Sequence, residues 1–135
     1  MIKAASSVPD QENIEVLVFS VQNILFAIDG ENIDRLITLE EAEKKEIQVD
    51  WFHQKITFAT PEVSYRNPRV ITLAGTENRT GLVIDQPHDF MTVPIRSIRP
   101  LPPLFEKKQG LQAFWGAYMK DNTIILLIDF HKLAG

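Results

Sequence analysis

The stretch EVLVFSVQNILFAI, residues 15–28, decides the fold class of this chain. It contains two short apolar runs, 15–21 and 24–28, that are rich in β-branched and aromatic side chains. Such runs favour strands over helices, because side chains branched at Cβ pack well on a pleated surface. The polar pair Gln22-Asn23 between the runs has the length of a tight hairpin turn. Residues 15–28 therefore predict an antiparallel β-hairpin.

Short apolar runs separated by polar turns continue along the rest of the chain. Further strands are predicted at 69–74, 80–85, 90–93, 113–119 and 123–129. Eight prolines in 135 residues interrupt the chain too often for long helices. The pattern predicts a mainly β fold, and the number of short strands indicates a barrel or a sandwich.

The segments between these strands are less regular. Ile33, Leu36 and Ile37 lie at helical spacing, which predicts one or two helical turns with the apolar side inward. The charged run at 39–46, LEEAEKKE, predicts a solvated helix or loop face. Residues 48–58 fit either a strand or a helix, and residues 61–68 are expected to form a loop.

Length and composition limit the possible classes of protein. The length suits a single domain at 14–135 behind a polar, mobile arm at 1–13. The net charge of −4 argues against nucleic-acid binding, which needs an excess of cations. There is no cysteine, which excludes disulfides and zinc-thiolate sites. No apolar run approaches the roughly 20 residues that a transmembrane helix needs, so we expect a cytoplasmic protein without direct membrane insertion.

The sequence offers no set of residues typical of an enzyme. The three histidines lie on separate predicted elements, and none of them has the spacing of a helical metal site. There is no G-x-S-x-G motif and no glycine-rich phosphate loop. Asp85 and Asp129 end apolar strands, where a carboxylate most often caps a turn. We therefore expect no catalytic residues, no metal and no cofactor.

Three stretches resemble the CheW-like chemotaxis adaptor domains. Residues 15–37 are similar to the opening strand pair of that family and the short turn after it. Residues 69–103 resemble its second half, including the segment GLVID at 81–85 and the step IRP at 98–100. Residues 116–133, GAYMKDNTIILLIDFHKL, resemble its closing pattern of a strand, a polar turn and a second strand. The three stretches follow one another in the order of the family.

The region between the first two stretches departs from the family pattern. Family members usually place an N-L-R-G hairpin there, which is a contact surface for partners. This chain has only the residues 38–68 in that place and contains no N-L-R-G. Residues 47–58 are expected to replace the strand and short helix that follow the hairpin in relatives.

The resemblance implies two small five-stranded, SH3-like β-barrels packed together, with short helical turns. It also implies a scaffold without chemistry of its own, which couples methyl-accepting chemoreceptors to the regulatory domain of a histidine kinase. The residue matching Ile33 belongs, in the family, to a groove that faces the receptor. We expect the partner-binding residues to come from the set Ile33, Leu36, Ile37, Trp51, Phe52, Val83 and Asp85.

Trp51 and Phe52 lie where the chain departs from its relatives, and two interpretations are open. The two rings can close the gap left by the missing hairpin. Alternatively, residues 50–54 expose a replacement apolar patch for a partner or for self-association, since exposed aromatic residues are enriched at binding hot spots.

A second function class is a ligand- or oligonucleotide-binding β-barrel. In such a protein, aromatic side chains would provide stacking platforms for bases. The candidates are Trp51, Phe52, Phe114, Trp115 and Tyr118. The excess of acidic over basic residues argues against this alternative.

Overall fold

The computed structural model of the chain describes residues 12–56, 63–75, 80–104 and 111–134. Within these ranges nine strands form two sheets that pack against each other. The strands are β1 (Asn13–Val21), β2 (Ile24–Asp29), β3 (Ile33–Ile37), β4 (Gln48–Trp51), β5 (Pro68–Leu73), β6 (Thr80–Asp85), β7 (Pro87–Pro94), β8 (Phe114–Lys120) and β9 (Thr123–Ile128). The helices are α1 (Leu39–Lys44), α2 (Phe52–Lys55) and α3 (Phe130–Ala134). The prediction of a mainly β fold is confirmed.

The first sheet has five strands in the order β7-β1-β2-β9-β8. Its centre is the predicted hairpin of β1 and β2, whose turn residues Gln22 and Asn23 both have positive φ. That conformation matches the twist of the flanking strands, and asparagine tolerates it well. Beyond β7, Arg99 exchanges two backbone hydrogen bonds with Ala117 of β8, at 2.8 and 2.9 Å. The chain that leaves β7 therefore reaches the other edge of the sheet.

The second sheet has the order β3-β5-β6-β4 within the described residues, where we expected five strands. β5 and β6 form the antiparallel pair predicted from the sequence, while β4 runs parallel to β6. Gly81 on β6 permits a close approach of its neighbour, since a Cβ atom there would come within 2.5 Å of a methyl group of Val70. A larger residue at 81 would push β5 and β6 apart.

The two sheets share one apolar core. Each sheet contributes one face, and the helices α2 and α3 add Phe52, Phe130 and Leu133. The largest fully buried side chains of this shared core are Phe19, Phe26, Phe52, Leu17, Ile28, Ile56, Ile71, Ile84 and Ile128. Two smaller apolar clusters lie on the other faces, one beside each sheet. The fold therefore has three layers of apolar packing around two sheets.

The helical turn predicted around Ile33, Leu36 and Ile37 is wrong. The segment is the strand β3, which pairs with β5, and the helical turn lies just before it at Gly30–Asn32. The register of β3 shifts between Ile33 and Arg35. An irregular strand of this kind places Ile33 and Ile37 against apolar clusters at a spacing that also suits a helix.

The two segments that follow are helical in part. The charged run forms α1, and Thr38 and Glu41 form a reciprocal capping box at its start. The ambiguous segment at 48–58 is a strand to Trp51 and a helix from Phe52, and its last two residues lie outside the described residues. A helical turn also follows Pro94, at Ile95–Ser97.

The first strand begins inside the expected N-terminal arm. Of the expected arm at 1–13, residues 1–11 lie outside the described residues, whereas Asn13 already pairs with Pro94 at the start of β1. In the described part of the chain, no helix is long and apolar enough to span a membrane.

Asp85 holds a loop in place from the end of β6. We expected it to hold the turn before Pro87, but its carboxylate accepts hydrogen bonds from the backbone N–H groups of Arg66 and Asn67 instead. The side chain is almost completely buried. The carboxylate therefore fixes the loop that leads into β5, because it satisfies two backbone donors at once.

We predict that Val83→Ala lowers the free energy of unfolding by about 1–3 kcal/mol, because Val83 is fully buried on a central strand. Val49→Ala is the matched control, since Val49 is only half-buried and lies on the edge strand β4. Urea unfolding measures both variants. Equal losses would contradict the central position of Val83.

We predict that Asp85→Ala lowers the free energy of unfolding by about 2–4 kcal/mol, because it leaves the N–H groups of Arg66 and Asn67 without their acceptor. Asp34→Ala, at an exposed position on β3, should change it by less than about 0.5 kcal/mol. Chemical denaturation of the three proteins tests this. If Asp85→Ala were as stable as Asp34→Ala, the loop would not depend on the carboxylate.

Candidate docking surfaces

An exposed apolar stripe crosses three adjacent strands of the first sheet. On β2 and β9, Phe26, Ile28 and Ile128 point into the shared core. Ile24 and Ile124 lie on the same face of these strands, beyond the end of that core, and are 41% and 53% exposed. Met119 of β8 pairs with Ile124 and is 57% exposed. We call Ile24, Met119 and Ile124 the outer stripe.

The outer stripe is unusual because the opposite face of the same strands is also apolar. Leu25 and Ile125, next to the stripe residues in sequence, belong to the smaller apolar cluster of the first sheet. A solvated sheet face normally carries polar residues in alternation with the buried ones. Three large apolar side chains together on an exposed face are typical of a protein–protein contact.

The edge strand β3 offers a second surface, on the second sheet. β3 pairs with β5 on one side, and no other strand of the described residues pairs with its second side. Leu36 is 41% exposed on this strand, whereas Ile33 is half-buried against the shared core and Ile37 is buried. An unpaired edge with an exposed apolar residue can accept an extended segment of a partner.

The structure places Trp51 and Phe52 in different environments. Phe52 is fully buried and packs against Phe19 and Phe26. Trp51 is half-buried and contacts the ring of Tyr65 edge-on, with 4.9 Å between ring centroids. Phe52 thus has no surface for a partner, and Trp51 exposes only part of its ring.

Tyr65 links the loop before β5 to the start of α2. Its hydroxyl accepts a hydrogen bond from the backbone N–H of His53 at 3.1 Å and lies 3.1 Å from Nδ1 of the same residue. Burial raises the pKa of Tyr65 to about 12, and the hydrogen bond from the His53 backbone opposes this rise. The phenol therefore stays protonated, and the contacts of Trp51, His53 and Tyr65 form a structural cluster.

Val83 and Asp85 are buried as well. Val83 packs with Ile37 and Trp51 in the smaller apolar cluster of the second sheet. The structure therefore brings three of the seven predicted site residues together, but in the interior. Of the seven, Leu36 is the residue with a largely exposed side chain, and Ile33 and Trp51 are partly exposed.

Sequence reasoning missed the outer stripe. Ile124 lies in the run TIILLID at 123–129, in which every inner position is apolar. A run of this kind predicts a strand, but it does not show whether both faces are buried or one face lies in a core and the other at an interface. The lack of alternating polar residues in this run is the signal that could have indicated an exposed apolar face.

The aromatic residues proposed as stacking platforms do not form one surface. Phe52 and Phe114 are buried, and Tyr118 packs on the smaller cluster of the first sheet. Trp115 is exposed on the first sheet, whereas Trp51 lies on the second. Nothing in this arrangement resembles a continuous stacking groove, and no group of His, Asp or Glu in the described ranges is arranged to hold a metal ion.

Comparisons with known proteins address the family directly. A search of curated proteins found no significant match. Among solved structures, the chain is similar to the scaffolding protein TtCheW from Thermoanaerobacter tengcongensis, with a TM-score of 0.69 and 20% sequence identity. That similarity covers 90% of this chain and 92% of the other, and it shows a shared fold. The family model of the CheW-like domain matches residues 15–135. The chain belongs to the CheW-like domain family.

Proposed function

We propose that this protein is a non-catalytic, cytoplasmic adaptor that couples chemoreceptors to a histidine kinase. The observation that carries the proposal is the outer stripe, which gives a CheW-like domain a large exposed apolar contact surface on three adjacent strands. Membership of the family supports the same function, since the solved relative is a scaffolding protein.

An adaptor needs two surfaces that partners can occupy at the same time. The outer stripe lies on the first sheet, and the edge of β3 lies on the second. We assign the outer stripe to the regulatory domain of the kinase, because an exposed apolar face that spans three strands suits another folded β domain. We assign the edge of β3, with Leu36, to the receptor, whose contact in the family lies at the position of Ile33.

The two surfaces also replace what the chain lacks. The N-L-R-G hairpin of the family is missing, and the segment at 50–54 presents little apolar surface, because Phe52 is fully buried. The exposed apolar residues of β2, β8 and β9 provide a contact that does not depend on that hairpin.

We predict that Ile124→Asp weakens binding to the kinase regulatory domain at least about 30-fold, because it places a charge in the apolar centre of the contact. Ile95→Asp is the matched control, since Ile95 is 42% exposed but lies outside the stripe. Titration calorimetry with the purified domain measures both, and the thermal midpoint should change little in either variant. Equal affinities for the two variants would refute the assignment.

We predict that Leu36→Asp weakens binding to a receptor cytoplasmic tip while leaving the affinity for the kinase domain unchanged. The reason is that Leu36 and Ile124 lie on different sheets and contact different partners. Pull-down experiments measure the binding of the receptor tip and of the kinase domain to Leu36→Asp and to Ile124→Asp, so that two variants are compared for two partners. If each substitution weakened both interactions equally, the chain would not have two independent surfaces.

A further inference from the structure

A cavity of about 370 Å³ opens at one end of the first sheet. The turns Gln22-Asn23 and Asp121-Asn122 both lie at this end. The apolar part of the lining consists of Val18, Leu25, Phe90, Met91 and Ile125. All of these except Phe90 belong to the smaller apolar cluster of the first sheet, so the cavity is the exposed end of that cluster. Its volume lies at the lower end of the range for small-molecule sites.

The rim of the cavity is charged. The pairing of β1 with β7 passes from Leu17–Phe90 to Phe19–Pro87, so that His88 and Asp89 together lie opposite the single residue Val18. Such a bulge redirects side chains at the end of a sheet. His88 and Asp89 of β7 line the opening together with Lys120, which lies at the end of β8.

Lys120 and Asp89 both lack an ionic partner in the described part of the chain. The ammonium group of Lys120 lies 4.0 Å from the sulfur atom of Met91, which is a weak acceptor. No described carboxylate lies within 4.0 Å of that ammonium group, so Asp89 and Lys120 do not neutralise each other. One positive and one negative group without an ionic partner in the described residues thus line the same cavity.

We propose that this cavity binds a free aliphatic α-amino acid, with its side chain against Val18, Leu25 and Ile125, its carboxylate on Lys120 and its ammonium group on Asp89. A zwitterion presents both charges at the end of an apolar side chain, and the lining of the cavity offers each charge a group of opposite sign. An aliphatic carboxylate without the amino group would pair with Lys120 but meet repulsion from Asp89. The proposal goes beyond the adaptor function and does not depend on it.

A series of three probes tests the proposal on the whole 135-residue chain. L-leucine carries both charges, 4-methylpentanoate has the same side chain without the amino group, and 3-methylbutylamine lacks the carboxylate. Methyl NMR spectra report binding through the signals of Val18, Leu25, Met91 and Ile125. We expect leucine to bind with a Kd of about 0.1–1 mM, as suits a ligand of this size, and each analogue to bind at least about tenfold more weakly.

Two variants separate the roles of the charges. Lys120→Gln should weaken the binding of leucine about tenfold and should not weaken that of 3-methylbutylamine, since that probe has no carboxylate. Asp89→Asn should weaken the binding of leucine by a similar factor and should not weaken the binding of 4-methylpentanoate. Lys44→Gln, at an exposed position in α1, is the matched control and should leave leucine binding unchanged. Because Lys120 and Asp89 are exposed, both variants should keep the amide spectrum of the folded protein.

Three results would overturn the proposal. The first is no shift of the cavity methyl signals at about 10 mM leucine. The second is equal binding of leucine and 4-methylpentanoate, which would make the cavity a site for aliphatic carboxylates in general. The third is a loss of kinase-domain affinity in Lys120→Gln without any effect of leucine, which would make the rim part of a protein interface. A loss of leucine binding with intact kinase binding, or the reverse, distinguishes this proposal from the adaptor function.

Discussion

The packing of Phe52 against the stacked rings of Phe19 and Phe26 is the contact on which the rest of the structure depends. Phe19 and Phe26 belong to the hairpin of the first sheet, while Phe52 begins the helix that follows β4 of the second. The Phe52 ring lies perpendicular to that of Phe19, with 5.1 Å between centroids, and 4.7 Å from the centroid of Phe26. Edge-to-face contacts of this kind add to the free energy gained from burying the rings. Together with the aliphatic residues around them, they join the two sheets into one core.

Because one face of each sheet packs into this core, only the parts of the sheets outside the core remain available to partners. The first sheet keeps a smaller apolar cluster on its other face, and its strands extend beyond the shared core at Ile24 and Ile124. The second sheet keeps an unpaired edge at β3 in the described residues. The two proposed docking surfaces therefore lie on two separate sheets that share the same core.

Much of this fold could be predicted from the sequence, because strand-length apolar runs and turn residues are local signals. The hairpin at 15–28, the pair β5 and β6, and the strands β8 and β9 all follow from such runs. The segment at Ile33 could not be assigned correctly, because an irregular strand and a helix share the spacing of its apolar residues. The different environments of Trp51 and Phe52 could not be predicted, because the chain changes from strand to helix between these two residues. Tertiary packing, and not a local signal, determines where that change occurs. The outer stripe was missed because a run such as TIILLID does not show which face of the strand is covered.

The central claim is that the two sheets share one core and therefore unfold as one unit, and the two tryptophans allow a direct measurement. Trp51 reports on the second sheet and Trp115 on the first. The variants Trp115→Phe and Trp51→Phe each leave one tryptophan, and urea unfolding can be followed by the fluorescence of each. The account predicts a single cooperative transition in both variants, in which the fluorescence of the remaining tryptophan coincides with far-UV circular dichroism of the same protein. If the tryptophan signals of the two variants instead reported separate transitions, one sheet would remain folded after the other had unfolded. That result would contradict a shared core and a fixed relation between the two docking surfaces.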